Sequence, residues 1–210
     1  MTELFAEVNG IKLCYEIHGK EENHPILMIH GFGSKKTEWL AQVGALSEYF
    51  WVITVDNRGA GKSDRPNIPF TMKMFAEDIK GLLEYLKIEK THICGASMGG
   101  MIVQHFVLTY PEMVNKLIFI NSIFGFPNEQ GLEMYKNATI EGYHKRLEDP
   151  VKSYFEATRI YSTRKFRKLL EENLETKEKI HGIFTAEQLI KNDTLNPVEP
   201  QDLINNANAM

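Results

Sequence analysis

Cysteine is nearly absent from this chain: Cys14 and Cys94 are the only two among 210 residues. Two thiols cannot make a disulfide framework, and no partner pattern for a thiolate metal site accompanies them. Each lies in an apolar, strand-like segment and reads as a buried, reduced thiol of a cytoplasmic protein. Long apolar runs are missing too, so nothing approaches the length of a membrane span, and no membrane partner is expected. The first ten residues, MTELFAEVNG, lack the basic start and apolar core of a secretion signal. Positive charge is not in excess: 24 Lys and Arg stand against 28 Asp and Glu, a formal net charge of -4. Such a balance offers no basic footprint, which excludes nucleic acid as an expected partner. No metal or organic cofactor is implied.

The chain is 43% hydrophobic and 25% charged, enough for one sizeable core. Residues 3–8 and 11–17 alternate apolar and polar about Asn9-Gly10, the pattern of a β-hairpin. Short continuous apolar runs follow at 25–30, 51–56, 91–95 and 116–121. Helical spacing separates them: Trp39, Leu40, Val43, Leu46 and Phe50 within 37–50, then Phe75, Ile79, Leu82 or Leu83, and Leu86 after a capping Thr71. Ile102, Val103, Phe106, Val107 and Tyr110 mark a third helix, stopped by Pro111. Strand, turn and helix alternate three times, which predicts an α/β fold: a doubly wound, mostly parallel sheet behind an antiparallel hairpin. From Asn128 onward the spacing is helical and the charge dense, with breaks at Pro150 and near Ser162. The reading is therefore a core over 1–127 and a helical lid over 128–210.

Residues 55–64, VDNRGAGKSD, contain Gly61-Lys62-Ser63 and imitate a phosphate-binding loop. The imitation fails, because the first glycine of such a loop is replaced by Asp56 and the following DRPNIPF cannot start a helix. Gly95-Ala96-Ser97-Met98-Gly99 carries more weight. G-x-S-x-G alone arises by chance in about one chain in twenty of this length, so its context decides. Here a strand precedes it and a helix follows, as needed for a sharp turn that holds a serine clear of the sheet. Ser97 is the candidate nucleophile. The Met98 N–H, at a helix start, is the natural first donor to a developing oxyanion. The Phe32 N–H, in the HGFGS turn after the 25–30 strand, is the second. His30 precedes the serine and reads as a backbone anchor.

HGFGS, DNRGAGKSD and GASMGG, in this order on this pattern, resemble the α/β-hydrolase superfamily. The likeness is nearest to its esterases, enol-lactonases and C–C bond hydrolases, and it covers residues 1 to about 125. It implies Ser97 as nucleophile, the Phe32 and Met98 amides as oxyanion hole, Arg58 as a residue tying down backbone rather than doing chemistry, and residues 128–207 as the family's lid. Serine at the turn argues against the dehalogenase and epoxide-hydrolase branches, which place Asp there. The family's triad continues with an acid and a histidine on loops after two further strands. This chain has no such strands before Met210, and so reads as truncated or as completed by another chain. Of the later histidines, His105 reads as packed, and His144 and His181 as solvated.

The expected activity is hydrolysis of a carboxylic ester, thioester or lactone through an acyl-enzyme on Ser97, the partner being a small acyl substrate. Phe32, Met98, Phe124 and Phe126 are expected to line its pocket. The alternatives are a C–C bond hydrolase and a non-catalytic, hydrolase-like binding or signalling protein. Without later strands, 116–121 is an open apolar sheet edge guarded by Lys116. It is expected to be covered by self-association, domain swapping, lid rearrangement or a completing chain.

Overall fold

Asn9 and Gly10 take φ of +50° and +76°, the left-handed pair a tight hairpin turn needs. They pair β1 (Leu4–Val8) with β2 (Ile11–His18) in antiparallel register, Val8 opposite Ile11. The computed structural model describes residues 2–195 and 197–210. The apolar runs become β3 (Pro25–Ile29), β4 (Trp51–Val55), β5 (Thr91–Ala96) and β6 (Val114–Ile120). The sheet order is β1-β2-β4-β3-β5-β6; β2 meets β4 antiparallel, and the pairs β3–β4, β3–β5 and β5–β6 are parallel. The predicted α/β class and its hairpin-plus-parallel arrangement are what the chain adopts.

The first helix is shorter than its spacing suggests. A 3₁₀ turn, Lys36–Trp39, leads into α1 (Leu40–Leu46), which stops at Ser47 rather than Phe50. Gly44 weakens its interior, and the Ser47 hydroxyl donates back to the Gly44 carbonyl at 2.9 Å. Trp39 and Val43 still pack against Ile26, Met28 and Val52 on one face of the sheet. On the other face lie α2 (Met72–Tyr85), whose Thr71 cap accepts the Met74 N–H at 3.2 Å, and α3 (Met98–Thr109). Phe75, Ile79, Leu82, Ile102, Val103 and Phe106 form the centre of the main core there.

Beyond Asn128, α4 (Glu129–Glu148), α5 (Pro150–Tyr161), α6 (Arg164–Thr176) and α7 (Ala186–Thr194) build a helical region around Tyr154, Leu170, Phe184 and Ile190. Each break has a capping side chain: Asn128, Asp149, Thr163 and Thr185 all accept a backbone N–H of the helix that follows. The last helix, α8 (Pro200–Ala207), returns to the main body. Val198, Leu203 and Ala207 join its core, the Asn205 carbonyl accepts the Phe70 N–H, and Asp202 pairs with Arg65. No described helix is long and apolar enough to cross a membrane.

Candidate active site

The switch in strand order at β3 sets two turns side by side. β3 runs to β4 on one flank and its neighbour β5 lies on the other, so the segments leaving β3 and β5 meet at the carboxyl edge of the sheet. Crevices at such switch points are where open α/β sheets take ligands.

At the end of β5 the backbone reverses through Ser97, held at φ 51°, ψ -118°. A non-glycine residue there carries strain of about 1–3 kcal/mol, which surrounding structure must impose. Its neighbours impose it. A Cβ on Gly95 would lie 2.4 Å from the Gly99 carbonyl oxygen, and one on Gly99 only 2.2 Å from the Ile29 carbonyl oxygen. A Cβ on Gly100 would meet the Ser122 hydroxyl at 2.2 Å. The Ser97 N–H donates to the Ile120 carbonyl at 3.0 Å, and the Ser122 hydroxyl donates to the Ser97 carbonyl at 2.8 Å. While Ile93–Ala96 and Met98–Val103 are buried, Ser97 is exposed.

The HGFGS turn presses against it. A Cβ on Gly31 would sit 3.2 Å from Ser97 Cβ and 3.8 Å from Ser97 Oγ, so any larger residue would crowd the serine on this side. Neither the Phe32 nor the Met98 N–H donates a hydrogen bond among the described residues. His30 anchors the turn as expected from the sequence. Its Nε2 accepts the Asn57 N–H at 3.0 Å, which places the ring proton on Nδ1, 2.8 Å from the Gly31 carbonyl. Burial lowers its pKa and holds it neutral. Glu38 completes the turn, accepting the Gly31 N–H on Oε2 at 3.2 Å.

The phosphate-loop imitation wraps a carboxylate of its own. Asp56 accepts the Lys36 N–H at 2.7 Å, the Lys36 ammonium at 2.8 Å and the Lys62 N–H at 3.0 Å. Burial alone would lower the Lys36 pKa, but the contact with Asp56 outweighs it and raises it. Arg58 is a tie, as the resemblance implies, yet its partner is a side chain: both Nε and Nη2 donate to Asp78 on α2 at 2.6 Å. Cys14 and Cys94 are buried and free, and burial pushes both thiols up to about 11, leaving them unreactive.

Of the two residues expected to line a pocket with Phe32 and Met98, one lies where it can. Phe126 packs on Tyr135 at 5.4 Å, and Tyr135 on Phe32 at 5.3 Å, an aromatic row running through α4 to the HGFGS turn. Phe124 is 90% exposed and stands outside that row. Tyr135 escaped sequence reasoning; its signal was the helical spacing of Leu132, Tyr135 and Thr139 within α4. Thr139 confirms that face, its methyl lying 3.3 Å from a Cβ position on Gly33.

A base for Ser97 is not among these contacts. His105 is exposed on α3 rather than packed, and His144 and His181 are exposed as expected. Asp149 is occupied as the cap of α5, accepting the Lys152 N–H at 2.9 Å. Among the described residues no histidine hydrogen-bonds to Ser97, and no group of three His, Cys, Asp or Glu could hold a metal ion.

The family model described as the alpha/beta hydrolase fold matches residues 24–171. A putative carbamate hydrolase of Agrobacterium fabrum is 32% identical over 112 residues, 51% of this chain and 42% of that protein. A 3-oxoadipate enol-lactonase of Acinetobacter baylyi is 29% identical over 112 residues, 53% of this chain and 42% of that one. The crystal structure of the enol-lactonase from Burkholderia xenovorans superposes with a TM-score of 0.72 at 22% identity, covering 98% of this chain and 72% of that chain, a likeness of fold. The chain spans less than half the length of the curated relatives it matches.

Proposed function

The chain belongs to the α/β-hydrolase family, and from that premise we propose a serine hydrolase that cleaves carboxylic esters, thioesters or lactones through an acyl-enzyme on Ser97. One observation carries this reading: Ser97 is the exposed residue of a strained strand-to-helix turn, with Gly31 packed against it. Serine Oγ adds to the substrate carbonyl carbon, and the carbonyl oxygen becomes an oxyanion held by the Phe32 and Met98 N–H groups. Collapse of that intermediate expels the alcohol, thiol or lactone oxygen and leaves the acyl group on Ser97, which water then removes. A histidine oriented by a carboxylate takes the serine proton and returns it to the leaving group. No such pair is hydrogen-bonded to Ser97 among the described residues. Relatives named as enol-lactonase and carbamate hydrolase support chemistry at a carbonyl carbon. The aromatic row Phe32–Tyr135–Phe126 supports an apolar acyl group lying against the lid.

A second reading, a hydrolase-like protein that binds a small molecule without turnover, is favoured by the absence of a base within reach of Ser97 among the described residues. Intact-mass measurement after treatment with a fluorophosphonate probe separates the two. One label per chain, lost in Ser97→Ala, supports the acyl-enzyme. No label on folded protein, with small-molecule binding unchanged in Ser97→Ala, supports the binder.

A further inference from the structure

The end of β6 grips the Ser97 turn from a separate element. Pairing of β5 with β6 runs to Ala96 opposite Ile120, and the Ser97 N–H extends it by one bond, to the Ile120 carbonyl at 3.0 Å. Asn121 then takes a φ of +46°, a left-handed conformation that asparagine tolerates better than most side chains. That turn swings Ser122 back, and its hydroxyl donates to the Ser97 carbonyl at 2.8 Å. The other acceptor within reach, the Ile123 carbonyl, lies farther at 3.2 Å and also accepts the Gln104 amide of α3 at 3.1 Å. Gly100 makes the approach possible: a Cβ there would meet the Ser122 hydroxyl at 2.2 Å and the Ser122 Cβ at 2.4 Å.

The Ser97 carbonyl belongs to the same peptide as the Met98 N–H. In a trans peptide these two groups point in opposite directions, and no cis peptide occurs among the described residues. Whatever holds the carbonyl therefore aims the N–H. The Gly100 N–H at 2.9 Å and the Met101 N–H at 3.4 Å hold the carbonyl from within α3, and so orient the peptide relative to its own helix. The Ser122 hydroxyl holds it from β6, and so relative to the sheet. That sheet also carries the HGFGS turn at the end of β3. The Ser122 contact thus sets the Met98 peptide against the Phe32 peptide.

We infer that Ser122 is a positioning residue, its hydroxyl holding the Ser97–Met98 peptide so that the Met98 N–H is aimed for the oxyanion. The inference rests on the acyl-enzyme reading above, and Ser122 acts in it through the Met98 amide. An oxyanion donor removed outright costs about 10²–10³-fold in rate. A donor kept in place but misdirected is expected to cost less, about 10-fold.

Ser122→Ala and Ser122→Thr separate this role from a merely structural one. The reaction is labelling of Ser97 by a fluorophosphonate probe at fixed pH, with imidazole supplied as proton acceptor. Labelling is expected to be about 10-fold slower in Ser122→Ala, with the melting temperature within a few degrees. It is expected to recover in Ser122→Thr, which keeps the hydroxyl. The phosphorus NMR resonance of the Ser97 adduct reads the donors themselves, since its phosphoryl oxygen takes the place of the oxyanion. That resonance is expected to move in Ser122→Ala and to return in Ser122→Thr. Unchanged labelling or an unmoved resonance in Ser122→Ala would overturn the inference while leaving Ser97 as nucleophile. So would a loss that Ser122→Thr fails to restore, or one matched by a collapse of the melting temperature. No labelling of Ser97 in the unmodified chain would instead remove the acyl-enzyme reading, and this inference with it.

Discussion

Gly31 matters for the space it leaves. An alanine methyl there would sit 3.2 Å from Ser97 Cβ and 3.3 Å from the Ala96 carbonyl oxygen, tight enough to push the oxyanion turn away from the serine. Small displacements of positioned groups cost up to about 10²-fold in rate. Gly31→Ala is therefore expected to slow fluorophosphonate labelling of Ser97 by about 10-fold or more while leaving the melting temperature within a few degrees; unchanged labelling would detach this turn from the chemistry. His30 acts through the same turn. Its pKa in the folded chain lies below the ordinary 6.5 because burial disfavours the imidazolium. Below pH 6.5 the unfolded chain takes up a proton that the folded chain refuses, so stability falls with falling pH by up to about 1.4 kcal/mol per unit. Urea unfolding at pH 5 and pH 7 is expected to show that loss, and His30→Gln to reduce it. The sharp turn at Ser97 and the His30 anchor were legible because each is fixed by a run of five adjacent residues. Glu38 and Tyr135 were not, since their contacts depend on a helical turn and on α4 folding back over Gly31 and Phe32.

At the scale of elements, the strands were legible from continuous apolar runs and the helix breaks beyond Asn128 from Pro150 and the residues around Ser162. α1 was overread because apolar residues kept helical spacing past Ser47, where the backbone had already turned; periodicity reports which face is buried, not where a helix ends. The return of α8 was illegible. It depends on Arg65 reaching Asp202 and Phe70 reaching the Asn205 carbonyl, contacts between segments over 130 residues apart. The loop after β4 is joined to α2 by Arg58 and Asp78, whose side chains are 6% and 3% exposed. Removing one partner of so buried a pair leaves an uncompensated charge, at a cost of about 3–5 kcal/mol. Asp78→Ala is expected to lower the urea unfolding free energy by that amount, whereas the double change Arg58→Met/Asp78→Leu should recover most of it. A loss below about 1 kcal/mol for the single change would mean that α2 is held by its apolar face alone.

At the scale of the whole molecule, the Ser97 turn, the HGFGS turn and the aromatic row Phe32–Tyr135–Phe126 converge, and His30, which lies in the HGFGS turn, is engaged by Asn57 and Gly31. The fold and the Ser97 turn were readable because their motifs are local and ordered along the chain. The aromatic row was not, because Tyr135 lies on α4, whose charges conceal one aromatic face. A site with donors but no base retains a part of its catalytic power, since enzymes of this mechanism stripped of a triad member still exceed water by about 10³–10⁴-fold. Added imidazole can then stand in for the missing proton acceptor. The measurement that tests the central claim most directly is the rate of fluorophosphonate labelling, read by peptide mass spectrometry, as imidazole is raised at fixed pH. The expected result is modification at Ser97 that accelerates with imidazole, vanishes in Ser97→Ala and leaves the neighbouring, half-buried Ser122 unlabelled. Labelling of Ser122 at an equal rate, or none at Ser97 at any imidazole concentration, would contradict Ser97 as a nucleophile poised for acyl transfer.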